Sequence, residues 1–375
     1  MGTGAFSAVI AGGGVAALEA AAALGAQPGE RLTTTLIAPE AEFVYRPLVP
    51  QQALQGSEPP RLPLADLAHR AGAHLIRDRV GSVDRGRMWV QTRSGERVRF
   101  DALILCLGAV ATPCFPDAIT IDGRAAATLG EVFDEIRSGA TRSLALLVPL
   151  RSAWPLPLYE VALMSAGLAA ERGRDLEVVI ATAEQRPLEI FGDAAAVEMG
   201  ALLAEHGIRV LPAAQCEQAE RHRVLVNGRD GVTVTLTPDR VLALPQLLGP
   251  HLRGVPCSEN GFIPIDRYCA VRGTERVYAA GDATDYPVKH GGLAAQQADV
   301  AAATVAALAG APVVPRPFRP TLEGLLLTGG QPRYLTARLT GATPFGSRMR
   351  AGGSAVPEPK IVAPHLTELL HRAGG

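Results

Sequence analysis

The stretch SAVIAGGGVAALEAAAAL, residues 7–24, constrains this chain more than any other. Ala8–Ala11 is a short apolar run that reads as a buried strand, and an alanine-rich helical pattern follows three glycines. The pattern G-x-G-x-x-A is met by Gly12, Gly14 and Ala17. Gly12 permits a tight turn, Gly14 lets the backbone approach a pyrophosphate, and Ala17 is small enough for close helix–strand packing. Gly13 and Ala16 complete the loop. The helix that follows offers unpaired N–H groups and a positive partial charge to phosphates. Strand, loop and helix in this order predict a parallel α/β sheet wound around a dinucleotide.

The second strand lies in TTTLIAPEAEFVYRP, residues 33–47. Where an acid usually bonds the adenosine ribose stands Ala38, and Glu40 follows beyond Pro39. Either Glu40 reaches the ribose from a displaced position, or backbone groups and water serve there. A second signature, TERVYAAGDATD over residues 274–285, resembles the T-x-x-x-[YF]-A-x-G-D pattern found in flavoproteins of the glutathione-reductase superfamily. Its strand ends in Gly281, which allows close backbone approach, and Asp282, which can accept a hydrogen bond from a ribitol hydroxyl. Beyond PVKHGG (287–292) comes LAAQQADVAAATVAALAG, a strong helix pattern over 293–310. That helix would aim its positive end, Gly291, Gly292 and Leu293, at the pyrimidine edge of a flavin. Between the two signatures lies RFDALILCLGA, residues 99–109, ending in Gly108 and Ala109.

Three signatures in this order resemble the FAD-dependent pyridine nucleotide-disulfide oxidoreductase superfamily. FVYRPLVP (43–50), PVKHGG and GFIPID (261–266) resemble in particular the sulfide:quinone oxidoreductase, flavocytochrome c sulfide dehydrogenase and type II NADH dehydrogenase group. The resemblance spans roughly residues 5–330. It implies two Rossmann-like lobes: an FAD lobe made of residues 1–115 and 255–320, a second lobe over 116–254, and a C-terminal segment over 321–375. It also implies an FAD site that includes Arg46 and Pro47, and a flavin oxidoreductase activity.

The second lobe keeps alternating strands and helices over 143–149, 158–173, 176–184 and 194–208. Its first strand-to-helix loop, however, reads VPLRSAWPLPLYE (148–160) and has no glycine. Pro149, Pro155 and Pro157 lack the N–H that a phosphate cradle needs. Arg151 and Trp154 fill volume where a pyrophosphate requires space. NAD(P)H binding in the usual mode is therefore not expected.

Sulfide:quinone oxidoreductases lack this loop too and work through cysteines near the flavin. Aligned on the Tyr159-Glu160 pair, one family cysteine falls on Trp154 and another on Ala127. The third, near the lysine turn, has no counterpart in 283–293. The five cysteines present are Cys106, Cys114, Cys216, Cys257 and Cys269, and none forms a CxxC pair. Cys106 reads as core, Cys114 as a loop residue near the first lobe, and Cys257 and Cys269 as surface-loop residues. Three residues remain as candidates for catalysis. Glu160 aligns with a flavin-facing glutamate of the resembling group and could relay protons. Lys289 could neutralise a reduced flavin, and Trp154 could stack on its ring.

The implied function is two-electron transfer through FAD from an unidentified small-molecule or protein donor, without redox cysteines, to a quinone or cytochrome. Two alternatives stay open: a flavin-binding redox partner or sensor subunit without turnover, and an NAD(P)H:quinone reductase with atypical nicotinamide binding. The eight histidines form no metal pattern, and a net charge of −1 gives no reason to expect nucleic acid. The first strand begins without a basic leader, so the cytoplasm is the expected location. Only 364–372 of the C-terminal segment looks amphipathic and helical, which is short for interfacial binding. Membrane contact is thus expected to be at most peripheral, with a homodimer as an open arrangement.

Overall fold

In the computed structural model, residues 5–27, 32–150, 154–229, 231–351 and 360–371 are described. The chain starts with β1 (Phe6–Ala11), α1 (Val15–Gly25) and β2 (Leu32–Ile37), followed by α2 (Leu64–Arg70), β3 (Ala73–Ile76) and β4 (Ala102–Leu105). These strands pair in parallel. β1 and β4 are apolar on both faces, as strands covered by helices on both sides must be. A small antiparallel sheet over 80–99 joins β3 to β4.

The middle of the chain repeats the theme. α3 (Ala126–Ser138), β5 (Ser143–Val148), α4 (Leu156–Glu171), β6 (Glu177–Thr182), α5 (Asp193–Glu205), β7 (Arg209–Leu211) and β8 (Arg240–Ala243) build a second parallel sheet. Its order is β8-β5-β6-β7, with the two-residue strand Ile119–Thr120 at the β8 edge. The chain then returns to the first sheet. β9 (Val277–Ala279) pairs with β4, giving the order β9-β4-β1-β2-β3. α6 (Gly291–Leu308) packs along α1 through alanines such as Ala295, Ala298 and Ala302. The fold is therefore mixed α/β with two Rossmann-like sheets.

The last part forms an antiparallel sheet, β10 (Thr321–Leu326), β11 (Arg333–Thr340) and β12 (Thr343–Ala351), laid over the second core. The terminal helix α7 (Pro364–His371) buries Leu366 and Leu369 against α1 and α2. No helix among the described residues is long and apolar enough to cross a membrane.

Candidate flavin site and the mouth of the second lobe

The glycine signatures meet at the carboxyl ends of β1, β4 and β9. The strand order reverses between β4 and β1, which is where open α/β sheets form a ligand crevice. Gly12 has φ +126°, and a Cβ there would lie 2.1 Å from the Cys106 carbonyl oxygen. No side chain fits. Gly13 faces Leu64, Ala38 and the carboxylate of Glu40, which leans over the loop. Gly14 is different: no protein atom lies within 4 Å of where its Cβ would be. Gly14 caps α1 with extended φ and no side-chain cap, so the first N–H groups of the helix face that open space. Gly108 (φ +67°) also faces open space, with Ala109 beside it. Pro47 lies in the 3-10 turn Arg46–Leu48.

Gly281 (φ +79°) fits against Ala16 and Ala294, so Ala16 is held small by the partner glycine; Ala17 is fully buried. The Gly281 N–H donates to Gln297 Oε1 of α6 at 2.7 Å. Burial raises the Asp282 carboxyl, while the charges of Lys289 and Arg46 pull it back. Lys289 is buried, donates to the Thr284 carbonyl and lies 4.0 Å over the Phe262 ring. Burial lowers its ammonium to about 8 against the attraction of Asp282 and Asp285.

At the start of α6, a Cβ on Gly291 would meet Ile361 at 2.9 Å, and one on Gly292 would meet His290. Leu293 is buried in the second core. The segment leading into α7 thus lies against the positive end of α6. His290 is buried with Nδ1 unpartnered among the described residues, and its ring stacks on Trp154 at 4.5 Å. Burial, then the charge of Lys360, drives His290 down to about 3, so it is neutral.

Trp154 also packs on Phe191 at 5.8 Å. Phe191 in turn lies against Gly324 of β10. The mouth of the second lobe is therefore lined with core residues. Pro157 stands in the first turn of α4, where a dinucleotide loop would offer N–H groups. Arg151 lies outside the described residues.

Glu184 is a candidate that sequence reasoning missed. An acid just past the second strand is the usual ribose ligand of a dinucleotide lobe. Here Glu184 accepts from Tyr159 Oη at 2.6 Å and Thr182 Oγ1 at 3.0 Å, and burial raises it to about 7.

Glu160 is 1% exposed and accepts from the Leu327 N–H at 2.8 Å. It forms a buried ion pair with Lys360, whose ammonium also donates to the Leu325 carbonyl. Burial raises Glu160 and lowers Lys360; their mutual attraction opposes both shifts. Nothing in the sequence near position 160 signals this partner 200 residues away.

The cysteines are free. Cys106 is buried as expected. Cys269 is fully buried too, with φ +60°, contrary to the surface loop expected for it, because its N–H and carbonyl pair with Asp266 and Ala279. Burial pushes both thiols well above the ordinary range, so neither is an activated thiolate. Cys257 is exposed. No metal-binding cluster of His, Cys, Asp or Glu occurs among the described residues.

A family model described as pyridine nucleotide-disulphide oxidoreductase matches residues 6–144 and 159–307. The interruption coincides with the glycine-free loop. No curated protein sequence matches the chain. Solved structures do. The sulfide:quinone oxidoreductase of the hyperthermophilic bacterium Aquifex aeolicus superposes with TM-score 0.82 at 19% identity, over 93% of this chain and 87% of that one. A NAD-dependent persulfide reductase from A. fulgidus gives 0.66 at 17% identity, over 90% and 65%. The covalent putidaredoxin reductase–putidaredoxin complex gives 0.66 at 19%, over 90% and 82%. At these identities the likeness is one of fold.

Proposed function

This chain belongs to the pyridine nucleotide-disulphide oxidoreductase family, and from that premise we propose that it holds FAD in the first lobe and accepts electrons from a donor other than NAD(P)H. Gly14 carries the reading. Its neighbours Gly12, Gly13 and Gly281 are wedged against protein atoms, whereas Gly14 faces a gap at a helix N-terminus. A gap there fits a diphosphate.

Gly12–Gly14, Gly108 and Ala109 would hold the diphosphate, and Glu40 the ribose. Arg46, Pro47, Asp282 and the backbone of Gly291 and Gly292 at the start of α6 would hold the ribitol and ring end, whereas Leu293, expected there too, is taken up by the second core. Bound FAD supplies reversible two-electron chemistry at its ring. The protein's own residues position and shield. Trp154, His290 and Phe191 wall the side on which a nicotinamide would stack, leaving no cradle for a second diphosphate. Lys289 and the α6 N-terminus place positive charge where negative charge develops on reduction. Glu160, locked to Lys360, fixes the seam rather than shuttling protons freely. The buried, raised thiols of Cys106 and Cys269 offer no nucleophile to sulfide, and the reading assigns no step to the other three cysteines. Donor and acceptor are left as a small molecule or protein on the one side, and a quinone or redox protein on the other.

The test pairs a variant with a titration. Gly14→Ala adds a methyl that meets no protein atom, so the apoprotein should melt as the parent does. FAD affinity should fall at least about tenfold, because the methyl enters the diphosphate space. Unchanged FAD affinity would sink the site. Anaerobic NADH and NADPH should leave the bound flavin oxidised. Bleaching within the time of a turnover would sink the reading of the second lobe.

A further inference from the structure

The chain is nearly neutral overall, at −1, yet residues 316–350 hold six arginines, one acid (Glu323) and no lysine. The fold concentrates part of this charge on one face. In β11, Leu335, Ala337 and Leu339 point inward and are buried. Tyr334, Thr336 and Arg338 take the opposite face. Across the ladder, Arg350 stands opposite Tyr334, Arg348 opposite Thr336, and Arg338 opposite Phe345. All three arginines are exposed, and Phe345 is 50% exposed. The Arg350 guanidinium lies 5.3 Å over the Tyr334 ring, which holds it in place. None of the three arginines is in an ion pair among the described residues.

Like charges gathered on one sheet face cost stability, so folding gives no reason for them. Charges on an edge strand can guard against strand pairing. That accounts for Arg348 and Arg350 on β12, the edge of this sheet, but not for Arg338 on its central strand. The face also has a telling location. Its underside, through Leu322, Leu326 and Leu335, belongs to the core that Trp154 joins. Thr321 exchanges two hydrogen bonds with Gln296 of α6, and the hairpin turn accepts from Tyr286 Oη through the Gly341 carbonyl. The basic face is therefore one sheet away from the Trp154–His290 stack.

We propose that the outer face of β10–β12, centred on Arg338, Arg348 and Arg350, docks a protein that presents a carboxylate-rich surface. The choice of arginine throughout favours a protein over a lipid surface. Its planar fork pairs carboxylates two bonds at a time, whereas attraction to an anionic bilayer asks only for charge. Flanking aromatic area from Tyr334 and Phe345 matches the composition of protein interfaces. This partner belongs to the proposed oxidoreductase, but the test reads binding rather than electron flow, so the two can fail separately.

The probe is an acidic plant-type [2Fe–2S] ferredoxin, with the basic cytochrome c as its counterpart, against the full chain as purified. Binding is measured by interferometry at about 20 mM and about 200 mM NaCl, where screening lengths differ severalfold. Ferredoxin should bind at low salt and be released at high salt, and cytochrome c should not bind. The triple variant R338E/R348E/R350E should weaken ferredoxin binding at least about tenfold. The control triple R87E/R93E/R97E, on the sheet over 80–99, should leave it within about twofold. Thermal melts check that both variants fold. Absence of ferredoxin binding, or equal loss in both triples, overturns the proposal. So does flotation with phosphatidylserine vesicles that the first triple alone abolishes while ferredoxin fails to bind; that outcome assigns the face to a membrane.

Discussion

Replacing Lys360 by Met would remove one half of the buried pair with Glu160 while keeping most of the side-chain volume. Glu160 is 1% exposed and would keep a single hydrogen bond, from the Leu327 N–H. Losing one partner of a buried pair costs about 3–5 kcal/mol, because an uncompensated charge stays inside. For a cooperative unit of 150–250 residues this is a drop of roughly 6–20 °C in Tm. The double variant Glu160→Gln/Lys360→Met removes both charges, and Gln can still accept from Leu327. It should recover at least about 2 kcal/mol of the loss, read as the coupling in a double-mutant cycle. The pH dependence gives a second reading. Burial already raises Glu160 above its unfolded value of 4.5, and without Lys360 it rises further. A raised folded pKa contributes stability below the unfolded value and loses it as pH climbs through the folded value. The single variant should therefore lose stability with rising pH more steeply than the parent, and the double variant should not. Equal slopes, or a double variant no more stable than the single, would refute the claim that this pair is closed and desolvated.

Two further outcomes follow from the same geometry. Gly12→Ala forces a Cβ against the Cys106 carbonyl at a φ of +126°, in a strand held by the Cys106 N–H to the Ala11 carbonyl; strain and overpacking should cost on the order of 2–6 kcal/mol and lower soluble yield, and a variant that melts like the parent contradicts this. Glu19 accepts from the His365 and Leu366 N–H groups at the start of α7, next to Asp299, which burial and the Glu19 carboxylate raise to about 7. Both carboxyls are raised, so their support for α7 is complete below the unfolded carboxylate range; the part of Asp299 is lost as pH passes through about 7, and that of Glu19 as pH climbs through its own raised value. Hydrogen exchange at Leu366 should quicken between pH 6 and 8 beyond its intrinsic rate. Asp299→Asn should abolish that extra quickening, and persistence of it would refute the assignment.

The elements that were legible in the sequence are those whose cause is local. The G-x-G-x-x-A spacing dictates a strand, a turn and a helix within a dozen residues, and β1 and α1 appear there. The strand–Gly281–Asp282–helix run was legible for the same reason. Pairings set by the tertiary fold were not legible. Lys360 meets Glu160 across 200 residues, and Glu19 caps a helix 346 residues later. Cys269 sits between turn residues that resemble a surface loop, yet backbone bonds to Asp266 and Ala279 pull it into the core. Glu184 escaped notice because an acid past a strand signals a ribose ligand only if it is free. Its capture by Tyr159, on a different element, is invisible in one dimension.

The second lobe explains itself once its residues are followed across the seam. A sheet that only connected two halves of the first lobe would make few contacts beyond them. Instead its apolar helix α4 starts at the flavin end, and four of its neighbours converge there. Trp154 meets His290 of the first lobe, Phe191 meets Gly324 of the C-terminal sheet, Glu160 meets Lys360, and Tyr159 closes over Glu184. The core of Trp154, Phe191, Leu322 and Leu326 closes this side of the lobe, and the proposed exclusion of NAD(P)H rests on it. Opening it by Trp154→Gly would not restore a nicotinamide site, because Pro157 still lacks its N–H and Glu184 stays bonded to Tyr159 and Thr182. The cavity so made would be lined by Phe191 and by His290 with its unpartnered Nδ1, a polar atom that favours entry of water or a small polar molecule.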